Sequence, residues 1–307
     1  MSGTHEDIDV DIAARGEAGG TEETSGTEHT GESPGGLRQR HRLRNGLAVV
    51  AVLLLVASVG IAVRWNANDA RPVSLDEARE RLASETSLPT GDPEVLRPAQ
   101  GLYLYRGHGT DKIDKPPKDQ AQGPDMPATV THRPDGCWTL RIDYSSNHWQ
   151  SWGYCPTEDG GLDEVDGKVW SRWDFVAFQN ESTTDYVCAS SPTITADQQP
   201  GDTWDQECNG SGGPSNEAST TKSRLTYVGL EQLEIGGRSV EAHHYRREST
   251  MTGGERGDET GSVWFSAETG LPLRSERNLE LRTSSVIGDV LYTETNRYEL
   301  TSLDPVA

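Results

Sequence analysis

The chain has 307 residues, a formal net charge of -21 and 33% hydrophobic residues, too few apolar side chains for a polytopic membrane protein. So acidic a composition also argues against nucleic acid as a partner, because binding it needs basic side chains that displace phosphate counterions. Length alone allows one large domain or two small ones.

Residues 1–36 hold nine acids, one base (Arg15) and no aromatic side chain. Such a segment cannot bury enough apolar surface to offset the cost of ordering its backbone, and it reads as a disordered acidic tail. Arg38, Arg40, Arg42 and Arg44 follow as the one compact basic cluster. Leu47 to Val63 then reads LAVVAVLLLVASVGIAV, 17 residues without a charge, or roughly 25 Å of helix. A run apolar on every face predicts a transmembrane helix, not a core helix. Four arginines on its N-terminal side against Arg64 on the other place 1–46 in the cytoplasm and 64–307 outside. The expected arrangement is single-pass, type II, in the plasma membrane. The long stretch before the run, and the poor small-residue site Gly60-Ile61-Ala62 inside it, read as an uncleaved signal anchor.

Residues 64–97 form a linker with one helical signal. Ser74-Leu75-Asp76-Glu77 is a capping box, and Leu75, Ala78 and Leu82 share one face. Pro89 and Pro93 block extension, so the spacing predicts a short helix over 74–86 packed on the domain that follows.

From 98 to 307 the period changes to two. Strand patterns occupy 128–133, 137–144, 148–155, 169–178, 224–235, 239–247, 262–266, 271–282 and 290–303. Turn formers separate several of them: Pro134-Asp135-Gly136, Asp166-Gly167, Gly236-Gly237, Thr269-Gly270 and Gly288-Asp289. The fold class is therefore mainly β: a curved antiparallel meander, half-barrel-like, with one concave face. The stretches 107–127 and 209–222, rich in Pro, Gly, Ser and Lys, read as mobile loops.

All four cysteines lie beyond the apolar run, which suits an oxidising compartment. Their spacings do not resemble metal or redox CxxC pairs. Cys137 opens one strand and Cys155 closes the next, so the expected bonds are Cys137–Cys155 and Cys188–Cys208.

No HExxH, GxSxG, Walker loop or GxGxxG occurs. His243 and His244 are adjacent in a strand and face opposite sides; His108, His132 and His148 stand alone. Glu158-Asp159 and Asp163-Glu164-Asp166 read as a solvated acidic loop. No catalytic residue, metal ligand or cofactor is predicted. Tryptophan is the unusual residue. Trp138, Trp149, Trp152, Trp170, Trp173 and Trp264 are candidates to fill a core or line an apolar cavity. The spacing of three in Trp149/Trp152 and Trp170/Trp173 puts one of each pair on each face.

Two hairpin segments carry a resemblance. Tyr227-Val228-Gly229-Leu230-Glu231 with Ile235-Gly236-Gly237-Arg238-Ser239-Val240-Glu241-Ala242-His243, and Val263-Trp264-Phe265-Ser266-Ala267-Glu268-Thr269-Gly270-Leu271-Pro272-Leu273-Arg274, resemble hairpins of the LolA/LppX-type extracytoplasmic lipoprotein-carrier families. In the second, Thr269-Gly270 supplies the turn and Pro272 begins a strand where no amide donor is required. The likeness spans roughly 225–303. It implies an antiparallel half-barrel that holds helices in its concavity, binds apolar or lipidated molecules and has no catalytic residues. The expected function is a non-catalytic, membrane-anchored domain for a lipid-like ligand or an envelope protein. The alternatives are a regulatory or structural interaction module, a carbohydrate-binding module stacking sugars on tryptophan, and, least favoured, an envelope hydrolase.

Overall fold

The computed structural model describes residues 70–85, 96–175, 178–189, 192–285 and 288–306. The acidic tail and the apolar run 47–63 lie outside these. Among the described residues no helix is long and apolar enough to cross a membrane.

Helix α1 (Leu75–Glu85) starts with the capping box in place. The Ser74 hydroxyl accepts from the Glu77 amide at 3.2 Å and the Glu77 carboxylate accepts from the Ser74 amide at 2.9 Å. It packs against the strands that begin the sheet, with Ala78 fully buried and Arg81 paired to Asp143.

Fourteen strands follow: β1 (Gly101–Asp114), β2 (Pro117–Gln122), β3 (Asp125–His132), β4 (Trp138–Ser145), β5 (His148–Pro156), β6 (Leu162–Asp174), β7 (Gln179–Ala189), β8 (Pro192–Ile194), β9 (Thr203–Gly212), β10 (Ser219–Ile235), β11 (Arg238–Gly253), β12 (Glu255–Ser266), β13 (Pro272–Thr283) and β14 (Val290–Leu300). The mainly-β antiparallel meander is observed, and it curves beyond a half-barrel. β14 returns to β1, pairing Leu300 with Tyr105 through Tyr292 with Ile113, and closes a ring of twelve strands. Closure pairs each strand of the ring on both sides, while β2 and the short β8, each with one partner, lie off it. An eight-stranded ring is just filled by its own side chains; twelve strands enclose more room.

The stretches 107–127 and 209–222 are largely strand, against the loop reading. β1 runs to Asp114, β2 and β3 follow it, β9 reaches Gly212 and β10 starts at Ser219. The reason is visible in β2. Its prolines sit at the strand borders, and Lys118, Gln120 and Gln122 alternate inward as buried polar residues. A polar-in, polar-out alternation gives no hydrophobic period. At the other end of the scale, the β10–β11 hairpin follows its signal closely. Gly236 and Gly237 turn with φ of 58° and 78°, the left-handed pair that a two-residue hairpin requires.

One end of the barrel is plugged by side chains. Trp138, Tyr103, Tyr105, Tyr245, Leu271 and Leu273 are almost wholly buried there. Their polar atoms find partners, as buried ones must: the Trp138 indole donates to the Leu96 carbonyl at 2.9 Å and the Tyr105 hydroxyl to the Pro272 carbonyl at 2.6 Å. Cys137–Cys155 and Cys188–Cys208 are both bonded. The first ties β4 to β5, and the second joins residues directly opposed in β7 and β9.

Candidate functional site

The end away from the plug is hollow. A cavity of about 400 Å³ opens there, walled by Trp173, Phe175, Met251, Leu279 and Leu281, with Phe178 at its mouth. Phe178 is 53% exposed and packs on Phe175 at 4.6 Å between ring centres. Period two explains the wall: in β13 the cavity-facing positions include Ser275, Arg277, Leu279, Leu281 and Thr283, so polar residues flank an apolar pair. A second cavity of about 120 Å³ lies against the first, and Gln150, Tyr186, Met251 and Arg277 border both.

Arg277 makes the partition between them. Its guanidinium donates to Glu259 at 2.8 Å, to Glu294 at 3.2 Å and to the Gln150 side-chain carbonyl at 3.2 Å. Burial disfavours the cation, but the two carboxylates outweigh it and hold its pKa well above the ordinary arginine value. Deeper still, Arg247 donates to the buried Glu164 at 3.1 Å.

Asp111, His148 and Glu294 each offer a ligand atom within 4.8 Å of the others, all three buried. His148 Nδ1 lies 3.0 Å from Asp111 and the Tyr292 hydroxyl donates to Asp111 at 2.8 Å. The Gln122 amide also donates to Asp111 at 2.8 Å, and the Asn296 amide donates to Glu294 at 2.6 Å. Burial lowers the His148 pKa, but the Asp111 and Glu294 carboxylates outweigh it and the net shift is upward. Each carboxylate oxygen already has a donor, so the cluster braces the floor, although Gln122 Oε1, Asn296 Oδ1 and Arg277 Nε are buried there without a partner. Glu164 with Cys188 and Cys208 is geometrically close too, but the sulfurs are bonded to each other and offer no thiolate.

The six candidate tryptophans divide. Trp173 walls the outer cavity and Trp152 the inner one. Trp138 is in the plug. Trp149 and Trp170 stack on each other at 6.2 Å, with Arg141 over the Trp149 ring at 4.0 Å, and line neither cavity. One member of each three-spaced pair therefore faces the lumen. Trp264 stacks on His244 at 4.1 Å and donates to Glu231 at 2.8 Å, likewise away from both cavities. His243 meets Tyr227 instead, at 3.2 Å, so the two histidines do not share a site.

Two expectations are corrected here. Asp163, Glu164 and Asp166 are not a solvated loop but part of β6, with Glu164 buried on Arg247 and Asp166 paired to Arg133 at 2.6 Å. And the lumen holds no helix among the described residues: no residue of α1 lines either cavity, unlike the helix-filled concavity the resemblance implies. Asp111, Gln122, Glu255, Arg277 and Glu294 were not singled out from sequence. Only Arg277 had a readable signal, its place two residues before Leu279 on the same strand face.

Fold and site together define a closed antiparallel barrel, plugged at one end and hollow at the other, with an apolar wall and a charged floor. No family model and no curated protein matches the sequence. Among solved structures, the crystal structure of the hypothetical lipoprotein YmcC from Escherichia coli (K12) is similar over 75% of this chain and 98% of that one, at 12% identity and a TM-score of 0.31. A likeness of that depth carries no functional argument.

Proposed function

We propose that the barrel is a non-catalytic binding domain that holds an apolar, lipid-like ligand in its open lumen. The observation that carries this is the outer cavity. Its size falls within the range of small-molecule sites, its wall is aromatic and aliphatic, and a few convergent polar groups lie at one end. Ser, His and carboxylate groups arranged as nucleophile, base and orienter are not what the floor contains; its charges are spent on one another. The hairpin resemblance to the LolA/LppX-type carriers supports the same reading. The run 47–63 anchors the barrel to the plasma membrane with the acidic tail inside, so the ligand is captured or presented at the outer surface.

The test is photo-labelling of the full chain with a dodecyl alcohol bearing a diazirine near its end, followed by peptide mapping. Label on Trp173, Met251 or the Leu279–Leu281 segment is expected, and Leu281→Asp should reduce it at least about tenfold by placing an unpaired charge on an apolar wall. Label confined to 47–63, or unchanged in the variant, would overturn the proposal.

A further inference from the structure

Among the described residues, Glu255 is the carboxylate of the cavity wall that the rest of the lumen does not explain. It opens β12, lines the outer cavity and is only 9% exposed. Every other carboxylate in or under the floor has a partner: Asp111 has His148, Glu259 and Glu294 share Arg277, and Glu164 has Arg247. Among the described residues the Glu255 side chain has no hydrogen bond and no ion pair. Its cross-strand neighbour is Thr283, and Tyr186 is the titratable group whose electrostatics it perturbs. Of the two cations bordering the same cavity among the described residues, Arg277 is already held by two carboxylates and Lys115 donates to the Asp289 carbonyl. Burial alone pushes the Glu255 carboxyl up from its ordinary range.

The Glu255 side chain is mostly buried, but its unpartnered oxygens reach open space in the cavity it lines, where a ligand can pair with them. The charges bordering the lumen point to the same partner. Glu164, Glu255, Glu259, Glu276 and Glu294 line the two cavities against Lys115, Arg247, Arg277 and His148, with Asp111 beside His148, so acids outnumber the permanent cations; Lys115, at the mouth, donates to the Asp289 carbonyl at 2.7 Å. We propose that the lumen selects apolar molecules that carry a protonated amine, with Glu255 as the group that receives the ammonium, and that it discriminates against free fatty acids. This rests on the binding function proposed above and narrows its ligand class. An ammonium gains a charge-assisted hydrogen bond inside a water-poor cavity. A carboxylate in the same place would meet a second buried carboxyl.

The experiment uses the full chain and the alcohol photo-probe, with dodecylamine, dodecanol and dodecanoate as competitors at neutral pH. Dodecylamine is expected to block lumen labelling at a concentration about tenfold below dodecanol, with dodecanoate weakest. Glu255→Gln, which keeps the shape, should erase the amine preference, so that dodecylamine competes no better than dodecanol in the variant. Equal competition by the three, stronger competition by dodecanoate, or an amine preference that survives in E255Q would each overturn the assignment. Absence of lumen label with the alcohol probe itself would instead sink the binding function on which it rests.

Discussion

Replacing Arg277 by methionine is expected to lower the unfolding free energy by about 3–5 kcal/mol, the cost of stripping a buried ion pair of one partner. The residue is 18% exposed and bridges Glu259, which is 12% exposed, and Glu294, which is 1% exposed. Without the guanidinium two carboxylates remain in the barrel floor with no cation between them. They also face Asp111 through the shared donors Tyr292 and Gln122. The remedy identifies the cause. Adding Glu259→Gln and Glu294→Gln to the methionine variant should recover most of the loss, because neutral amides carry no stranded charge. Urea unfolding followed by tryptophan fluorescence reads all three proteins. A loss below about 1 kcal/mol, or no recovery in the triple variant, would show that the floor is not an electrostatic unit.

The second large effect comes from the disulfides. Cys137–Cys155 and Cys188–Cys208 close loops with sequence separations of 18 and 20. In the chain-entropy model each contributes roughly 3 kcal/mol by restricting the unfolded chain. Pairwise alanine replacement should cost about that much for either bond. Replacing both should cost roughly twice as much, since the pairs lie on different strand junctions. A bonded pair also speaks to location. Chain taken from its native host and denatured without reductant should titrate no free thiol. Four free thiols would contradict the outward orientation of residues 64–307 as well as the stability prediction.

How much of this could be read in the residues depended on which way each strand faced. Where a strand puts apolar side chains inward and polar ones outward, as in β4, alternation and turn chemistry located it to within a few residues. The capping box at Ser74 and Glu77 and the Gly236-Gly237 turn are local rules, and local sequence was enough. The disulfide pairing followed from strand ends meeting in a hairpin. β2, β7 and β9 were not legible, because their inward positions include Lys118, Gln120, Gln122, Thr184 and Gln206. A polar lumen removes the contrast on which period-two reading relies. Closure of the ring was hidden for a different reason: the pairing of β1 with β14 joins residues almost two hundred positions apart, and nothing local encodes it. The site shared both difficulties. Tryptophan drew attention to Trp152 and Trp173, yet the charged floor is assembled from single residues on β1, β5, β12, β13 and β14, none of them in a motif.

The account depends on the open half of the barrel being a ligand cavity that a separate molecule enters. A crystal structure of the chain soaked with 12-bromododecanol tests this most directly, because the bromine gives an anomalous signal that needs no model of the ligand. The account predicts a bromine peak inside the barrel, bordered by Trp173, Met251, Leu279 and Leu281. Bromine found only on the outer surface, with those four side chains closed together over the Arg277 floor, would contradict it.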